Sequence, residues 1–342
     1  MKIKSDVVID LLWGDGGKGK CVSHFLSQKD FWGLNKYDYC FRHSVGGNCG
    51  HSIYINNKKF ITHLIPAGVF HNIKSIIGCG CVLNVNKFFE ELNYLENNGI
   101  ECRHLIKIAY NAHIITDKHI EEDIKNEESG NGVGSTKQGI MPAYRDKYAR
   151  IGIRAESIPE LKPFLVDVYD ELYNRKNNIR VLFEGAQGVY LCVNNCSTYP
   201  YATSADCSIG SVISNGVPPQ SIDKVFGIIK AYASYVGSLK FQPEGKIYER
   251  IQEVGKEIGA TTGRKRQVDF ININLINRAI DMNGANILIV NKMDILQQIG
   301  VWNIYKDDQL IELQTESNFK KFLKKNIRKS VKIIFSYSPK KI

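Results

Sequence analysis

The sequence predicts an α/β fold: a mainly parallel central sheet with helices on both faces, a glycine loop resembling a phosphate-binding loop, and elaborated connecting loops. Three observations predict it. The chain opens strand, glycine loop, helix, which is the context that such a loop requires. Short apolar runs then alternate with amphipathic segments along the whole length. Finally, no internal repeat, low-complexity tract or Pro/Ser-rich linker divides the 342 residues, so residues 1–342 are expected to form a single domain.

The elements follow in order. "DVVIDLLWG" is a short apolar run ending at glycine, as in a strand buried on both faces. "KCVSHFLSQK" reads as the helix after the loop. "KSIIGCGCVLNVNKFFEELNYLENNGI" is strand, turn and helix, with Phe88, Phe89, Leu92 and Leu95 on one side. "LIKIAYNAHIIT" is a further strand, and "SIPELKPFLVDVYDELYNRK" is expected to be one helix leading into the strand "IRVLFEGAQG". "KVFGIIKAYA", a helix from about Phe270 to Asn283, the strand "ANILIVNKMD", a basic helix and the strand "VKIIFSYS" complete the chain. The glycine-rich, polar segment "NEESGNGVGSTKQGIMPAYRDKYARIG" is expected to be a functional loop.

Composition is ordinary for a soluble globular protein: 43% hydrophobic and 23% charged. No apolar run reaches the length of a membrane span. The opening "MKIKSDVVIDLLWG" has no cleavage pattern, so a cytoplasmic protein without membrane attachment is expected. Nine cysteines lack zinc-like spacing and read as isolated thiols of a reducing compartment. The net charge of +10 comes from 45 Lys+Arg against 35 Asp+Glu, much of it in "FKKFLKKNIRKSVKIIF". There Phe319, Phe322, Leu323 and Ile327 recur at helical spacing, which puts the lysines on an outer, solvated face rather than a nucleic-acid patch.

The chemistry begins at "LLWGDGGKGKC". From Gly14 it fits Gly-x-x-x-x-Gly-Lys, but Cys21 stands where a P-loop places a hydroxyl on Mg²⁺. The loop also carries its own acid, Asp15. Later, "ILIVNKMDIL" sets Asn291, Lys292 and Asp294 just after an apolar strand. A carboxylate there accepts from the two donors of guanine, and a lysine stem covers the ring. Three function classes compete. A GTP-binding switch protein needs the missing loop hydroxyl, and its Asp-x-x-Gly metal loop has only Asp281 to Gly284, too near the base loop. A nucleic-acid-binding module explains lysines but no glycine loop. A synthetase that spends GTP on activating a substrate oxygen has a use for an acid within the loop.

Eight segments, "WGDGGKGK", "GGNCGHS", "HLIPAGVF", "GSTKQGIMPAYRDKYAR", "FEGAQG", "TYPYATS", "GATTGRKR" and "NKMD", occur in the order seen in adenylosuccinate synthetases. The chain resembles that family from residue 6 to about residue 295 and again at its last strand. It is short for the bacterial and eukaryotic members, closer to the archaeal and viral ones. The resemblance implies GTP-dependent ligation of L-aspartate to C6 of IMP through a 6-phosphoryl intermediate, with one Mg²⁺ per subunit. Asp15 would take the N1 proton and bind Mg²⁺ together with the carbonyl of Gly50. His51 would support the charge developing on O6, and Lys18 would balance charge between the nucleotides. Catalysis would thus rest on Asp15, His51, Lys18 and Gln187.

The resemblance also assigns binding roles. IMP would meet Asp15, Gly16, Gly17, Lys18, Asn48, Cys49, Gly50, His51, Thr136, Gln187, Thr203 and Arg264, with Arg150 reaching it from the second subunit of a homodimer. Aspartate would sit on the loop of Ala260, Thr261, Thr262, Gly263, Arg264, Lys265 and Arg266. GTP would take Gly14 through Lys20, that is Gly14, Asp15, Gly16, Gly17, Lys18, Gly19 and Lys20, with Gly50, His51, Ser52, Arg266, Lys292, Met293, Asp294, Ser336, Tyr337 and Ser338. Taken singly, His51, Arg150, Gln187 and Thr203 read as turn or surface residues; the ordered series changes that reading. Three positions depart from the family pattern. Gly16 replaces an acid and leaves room near purine C2, Gln138 replaces an arginine aimed at aspartate, and Tyr235 replaces an arginine bordering the ribose. They keep open a phage-type alternative that uses dGMP or GMP and makes 2-aminoadenylosuccinate, although Asp15 and Asp294 favour IMP and GTP.

Overall fold

The computed structural model describes residues 3–27, 36–259, 263–340 and 342. Nine strands form one sheet: β1 (Ile3–Asp10), β2 (Tyr39–Arg42), β3 (Lys74–Ile77), β4 (Ile106–Ala109), β5 (Leu165–Val166), β6 (Ile179–Glu184), β7 (Ile222–Lys230), β8 (Ile287–Asn291) and β9 (Lys332–Phe335). Their order is β9-β8-β7-β1-β6-β2-β3-β4-β5. Every pairing is parallel, with Val8 opposite Glu184 on one side of β1 and Asp10 opposite Ile228 on the other. Parallel strands need crossovers, and these put helices over the faces, so the central strands are buried along nearly their whole length, Lys4 near the start of β1 being exposed.

Successive side chains go to opposite faces. Val7 and Ile9 join one core with Phe41, Phe183 and Ile229; Val8 joins another with Leu182, Phe226 and Ile289. Helix Lys18–Ser27 covers the second face with Cys21, Val22 and Phe25. Helix Val85–Asn97 begins where Asn84 accepts the backbone N–H of Lys87, and buries Phe88, Leu92 and Leu95, as expected. Helix Glu316–Asn326 starts at Thr315 and turns Phe319 and Leu323 inward. Lys321, Lys324 and Lys325 remain exposed, in accord with the solvated-face reading.

Two expectations need correction. The stretch from Ser157 to Lys176 is not one helix. It is a 3₁₀ turn (Pro159–Phe164), strand β5 and a short helix (Val168–Tyr173), because Pro163 has no backbone N–H to donate within a longer helix. The glycine-rich segment expected to be a loop also carries a helix, Ile140–Ala149. A Cβ at Gly16 would lie 2.4 Å from Asp10 Oδ2 and 3.3 Å from Ile228, so a side chain there would meet the floor of the glycine loop. Two hairpins, His51–Ile55 with Lys58–Thr62 and Trp302–Lys306 with Gln309–Leu313, escaped the sequence reading. Their turns, Asn56–Asn57 and Asp307–Asp308, hold both residues at positive φ, the geometry of type I′ turns. All nine cysteines are free. Among the described residues, no helix is long and apolar enough to cross a membrane.

Candidate active site

Five neighbouring strands each end in a buried polar residue: Asn291 of β8, Lys230 of β7, Asp10 of β1, Glu184 of β6 and Arg42 of β2. None is more than 3% exposed. Buried charge is costly without partners, and each of these has one. Together they form a polar floor at the carboxyl edge of the sheet, where open α/β folds place their ligands.

Asp10 shapes the glycine loop. Its Oδ1 accepts the backbone N–H of Leu12 and Gly14 at 3.0 and 3.1 Å, and its Oδ2 that of Gly16 at 2.7 Å. Across the loop, Asn291 donates to the Gly16 carbonyl at 2.7 Å. These bonds hold Asp15 at φ 56°, a left-handed conformation that costs a residue with a Cβ about 1–2 kcal/mol. Its carboxylate, 38% exposed, accepts from Arg266 Nε at 2.6 Å. Desolvation acts to raise the Asp15 pKa, but the charges of Arg266, Lys230 and Lys18 outweigh it and hold the carboxyl below its ordinary value. Lys18 donates to the Gln187 carbonyl at 2.6 Å and lies 3.6 Å from Asp10.

Glu184 faces the cavity histidine. It hydrogen-bonds His51 Nδ1, and accepts Arg42 Nη2 at 2.9 Å and the Ala67 N–H at 2.8 Å. Burial opposes ionisation of Glu184, yet Arg42 and His51 prevail and push it down to about 2. Burial, reinforced by Arg42, pushes His51 down to about 4. At neutral pH the pair is therefore a carboxylate and a neutral imidazole, with the ring proton on Nδ1. The Nε2 atom is buried without a protein partner and belongs to a residue that lines the cavity. Asn48 Oδ1, on the same wall, is equally unpartnered.

On the other side of β1, Glu257 accepts from Lys230 Nζ at 2.8 Å, Arg266 Nη1 at 2.9 Å and Tyr232 Oη at 2.5 Å, with Lys292 Nζ at 3.5 Å. Desolvation is outweighed there by Lys230, Lys292 and Arg266, which keep Glu257 well below the usual carboxylate range. Lys292 takes a left-handed φ of 63° and donates to the Gly255 carbonyl at 2.6 Å. Asp294 stands in the first turn of helix Met293–Ile299. Lys20 Nζ goes to Asn291, to Ser336 Oγ at 2.8 Å and to the Ser338 carbonyl at 3.0 Å. It thereby ties the base loop to the chain's last segment. Cys21 is wholly buried behind this loop and offers nothing to a metal.

One cavity of 1340 Å³ gathers most of the expected residues. Gly14 to Lys20, Asn48 to Ser52, Thr136, Gln187, Thr203, Arg264, Arg266, Lys292, Asp294 and Ser338 line it. Tyr235 also lines it, packed on Phe241 with ring centroids 5.5 Å apart. Six expected residues are outside the lining. Met293 is in the core, Ser336 holds Lys20, Tyr337 bonds Glu316, and Gly263 and Lys265 are exposed on the loop. Arg150, exposed, caps helix Ile140–Ala149 at φ 65°. Arg264 reaches the Gly134 and Ser135 carbonyls at 2.9 and 3.0 Å. Ala260, Thr261 and Thr262 lie outside the described residues. Gln138 sits against Gly47 and does not line the cavity. Asp281, the acid of the alternative switch motif, is in helix Ile273–Asn283 and pairs with Arg328, away from the cavity.

A glycine loop with its own carboxylate, facing a histidine and a base loop across one cavity, invites comparison with known proteins. The family model described as adenylosuccinate synthetase matches residues 7–160 and 156–328. The adenylosuccinate synthetase of Streptococcus gordonii is 36% identical over 350 residues, covering 88% of this chain and 79% of its own. That of Lodderomyces elongisporus is 31% identical, covering 86% and 81%. The chain belongs to the adenylosuccinate synthetase family. The fully ligated adenylosuccinate synthetase of Plasmodium falciparum superposes with a TM-score of 0.86 at 25% identity, over 98% of this chain and 97% of the other. The cyanophage S-2L succinoaminodeoxyadenylate synthetase, bound to dGMP and dATP, gives 0.75 at 19% identity over 99% and 94%, a likeness of fold. Within this adenylosuccinate synthetase site, the sequence reading passed over Asp10, Arg42, Glu184, Lys230 and Glu257. A signal for four of them was present: "VVID", "YCFR", "VLFE" and "GIIK" are apolar strands that close on a charged residue.

Proposed function

We propose that this chain is a C–N bond-forming ligase that joins L-aspartate to C6 of IMP, converting GTP to GDP and phosphate and releasing adenylosuccinate. The observation that carries the reading is the meeting, in one cavity, of Asp15, His51 and the Asn291–Asp294 base loop. Asp15, kept ionised by its cationic neighbours, accepts the N1 proton of the purine, and the charge moves to O6, which attacks the γ-phosphate of GTP. His51, oriented by Glu184 through Nδ1, presents Nε2 to the forming anion, takes a second proton there from solvent as negative charge develops, and donates it as a hydrogen bond to O6. Lys18 offsets the charge between the nucleotides. The amine of aspartate then attacks C6 and phosphate leaves.

The donors available for Mg²⁺ are the Asp15 carboxylate and the Gly50 carbonyl, hard oxygens of two residues that line the cavity, and such oxygens suit the ion. When bound, one Mg²⁺ per subunit lowers the repulsion among phosphate oxygens. Asn48, Thr136, Gln187 and Thr203 hold IMP, the loop ending in Arg264 and Arg266 holds aspartate, and Lys292 with Asp294 reads guanine. The enzyme works in the cytoplasm as one domain per subunit and as a homodimer, with Arg150 on the partner's 5′-phosphate. Its exposure at a helix end, away from its own subunit's cavity, supports that role. Phosphate release with aspartate and GTP tests the reading: IMP should exceed GMP and dGMP, and a preference for dGMP would transfer the chain to the phage-type reaction. For the dimer, inactive Arg150→Leu and Asp15→Asn enzymes should regain activity when mixed; no recovery after proven subunit exchange removes Arg150 from the partner's site.

A further inference from the structure

We propose that Glu257 is a positioning residue that couples the guanine side of the cavity to the aspartate side. The inference rests on the functional reading above and concerns a residue to which that reading gives no task. Glu257 has no exposed side-chain surface, and its two oxygens face different partners. Oε1 accepts from Tyr232 and lies 3.5 Å from Lys292 of the base loop. Oε2 accepts from Lys230 at 2.8 Å and Arg266 at 2.9 Å. Arg266 passes the connection on, since its Nε donates to Asp15.

A second, independent feature puts Glu257 at the stem of the segment that carries Arg264 and Arg266. Ile258 and Lys265 pair through their backbones, and next to that bridge the Arg266 N–H donates to the Glu257 carbonyl at 2.9 Å. Gln252 secures the Arg266 carbonyl at 2.6 Å. Glu257 follows helix Lys246–Gly255, whose last residue accepts Lys292. The stem of the aspartate loop and the guanine-covering lysine therefore hang on the same two turns of chain. One buried carboxylate with three cations favours a single arrangement of all of them: a shift of Lys292 over an arriving base changes the field on Oε1, and the carboxylate and Arg266 respond as a unit. Order at the guanine loop thus reaches the aspartate loop without contact between the two ligands.

The test is steady-state kinetics of the full-length enzyme with IMP, aspartate and GTP. Glu257→Gln keeps the shape and removes the charge. The expected result is a split: KM for GTP and for aspartate each rise about tenfold, while KM for IMP stays within about twofold, since Asn48 and Thr203 do not touch Glu257. Unchanged KM values with only a lower melting temperature, or an equal rise of all three, would overturn the proposal by giving Glu257 a purely structural role. Should Glu257→Gln not fold, Lys292→Met provides the second measurement. At saturating GTP its KM for aspartate should still rise several-fold; a wild-type value overturns the coupling. Failure of the functional reading shows differently, as wild-type enzyme that forms no product from the three substrates. In that event, GDP binding by calorimetry still decides, weaker in Glu257→Gln if the proposal holds and equal to wild type if it does not.

Discussion

Glu184 and Glu257 lie on opposite sides of β1, each with a side chain closed to solvent, yet their surroundings differ in charge. Glu184 meets one guanidinium, Arg42, and one neutral imidazole, His51. The carboxylate and guanidinium cancel, and burial with Arg42 keeps the ring neutral until the pH falls toward about 4. Glu257 meets Lys230, Arg266 and Lys292. There the cations outnumber the acid, and the surplus lies beside Asp15 and the phosphate loop. The difference teaches how one floor of strand ends serves two tasks. A balanced pair suits proton movement, and an unbalanced cluster suits anionic substrates.

The comparison can be broken most severely at its midpoint. Asp15→Asn should lower kcat by about 10³-fold or more, because an amide cannot take the N1 proton; near-normal turnover would end its assignment as base. Next in size is Glu184→Gln, expected to lower kcat about 100-fold and to cost about 3 kcal/mol of stability, since buried Arg42 loses its counter-charge. His51→Asn should match the loss in kcat with a much smaller loss of stability in urea. If both variants lose equal stability, Glu184 does not distinguish the two roles. On the other side, Lys230→Met should raise KM for GTP and aspartate about fivefold and leave the His51 side intact; an effect confined to IMP would reverse the comparison.

The pH dependence of stability tests the same buried cluster. His43, next to Arg42 and bonded through Nδ1 to Ser211 Oγ at 2.8 Å, is pushed down to about 3 by burial and by Arg42. A histidine depressed in the folded state binds its proton more readily when unfolded. Its stabilising contribution is therefore present above about 6.5 and is lost as pH falls toward about 3, at about 1.4 kcal/mol per unit. Glu184 adds a lower limb. Depressed from 4.5 to about 2, it contributes above about 4.5 and loses that contribution as pH falls through about 2. Urea unfolding between pH 7 and 4 should show the upper limb, to which His51 and His71, both pushed down to about 4 by burial, contribute as well; His43→Gln should make it shallower, and an unchanged slope would assign the acid sensitivity to the other two.

What the sequence by itself determined was local. Gly14 and Gly17, at φ 88° and 99°, mark a loop that turns where a Cβ is costly. The apolar runs before Asp10, Glu184 and Asn291 mark strands, and the 3.6-residue spacing of Phe88, Leu92 and Leu95 marks a buried helix face. The series of motifs picked out Asp15 and the Asn291–Asp294 segment because each lies in a few contiguous residues. Pro163 was legible too, but a strand of two residues has no periodicity to read, so β5 was lost in an expected helix. Only the tertiary structure decided which charges meet. Asp15 pairs with Arg266 across 251 residues and His51 with Glu184 across 133, because the order β8-β7-β1-β6-β2 brings their strand ends side by side. Strand order in a parallel sheet is set by crossovers and by the packing of both faces, neither of which leaves a mark on the local pattern. A lone Glu257 after a helix therefore reads as surface, and becomes a buried partner of three cations only when Lys230, Arg266 and Lys292 arrive from three separate segments.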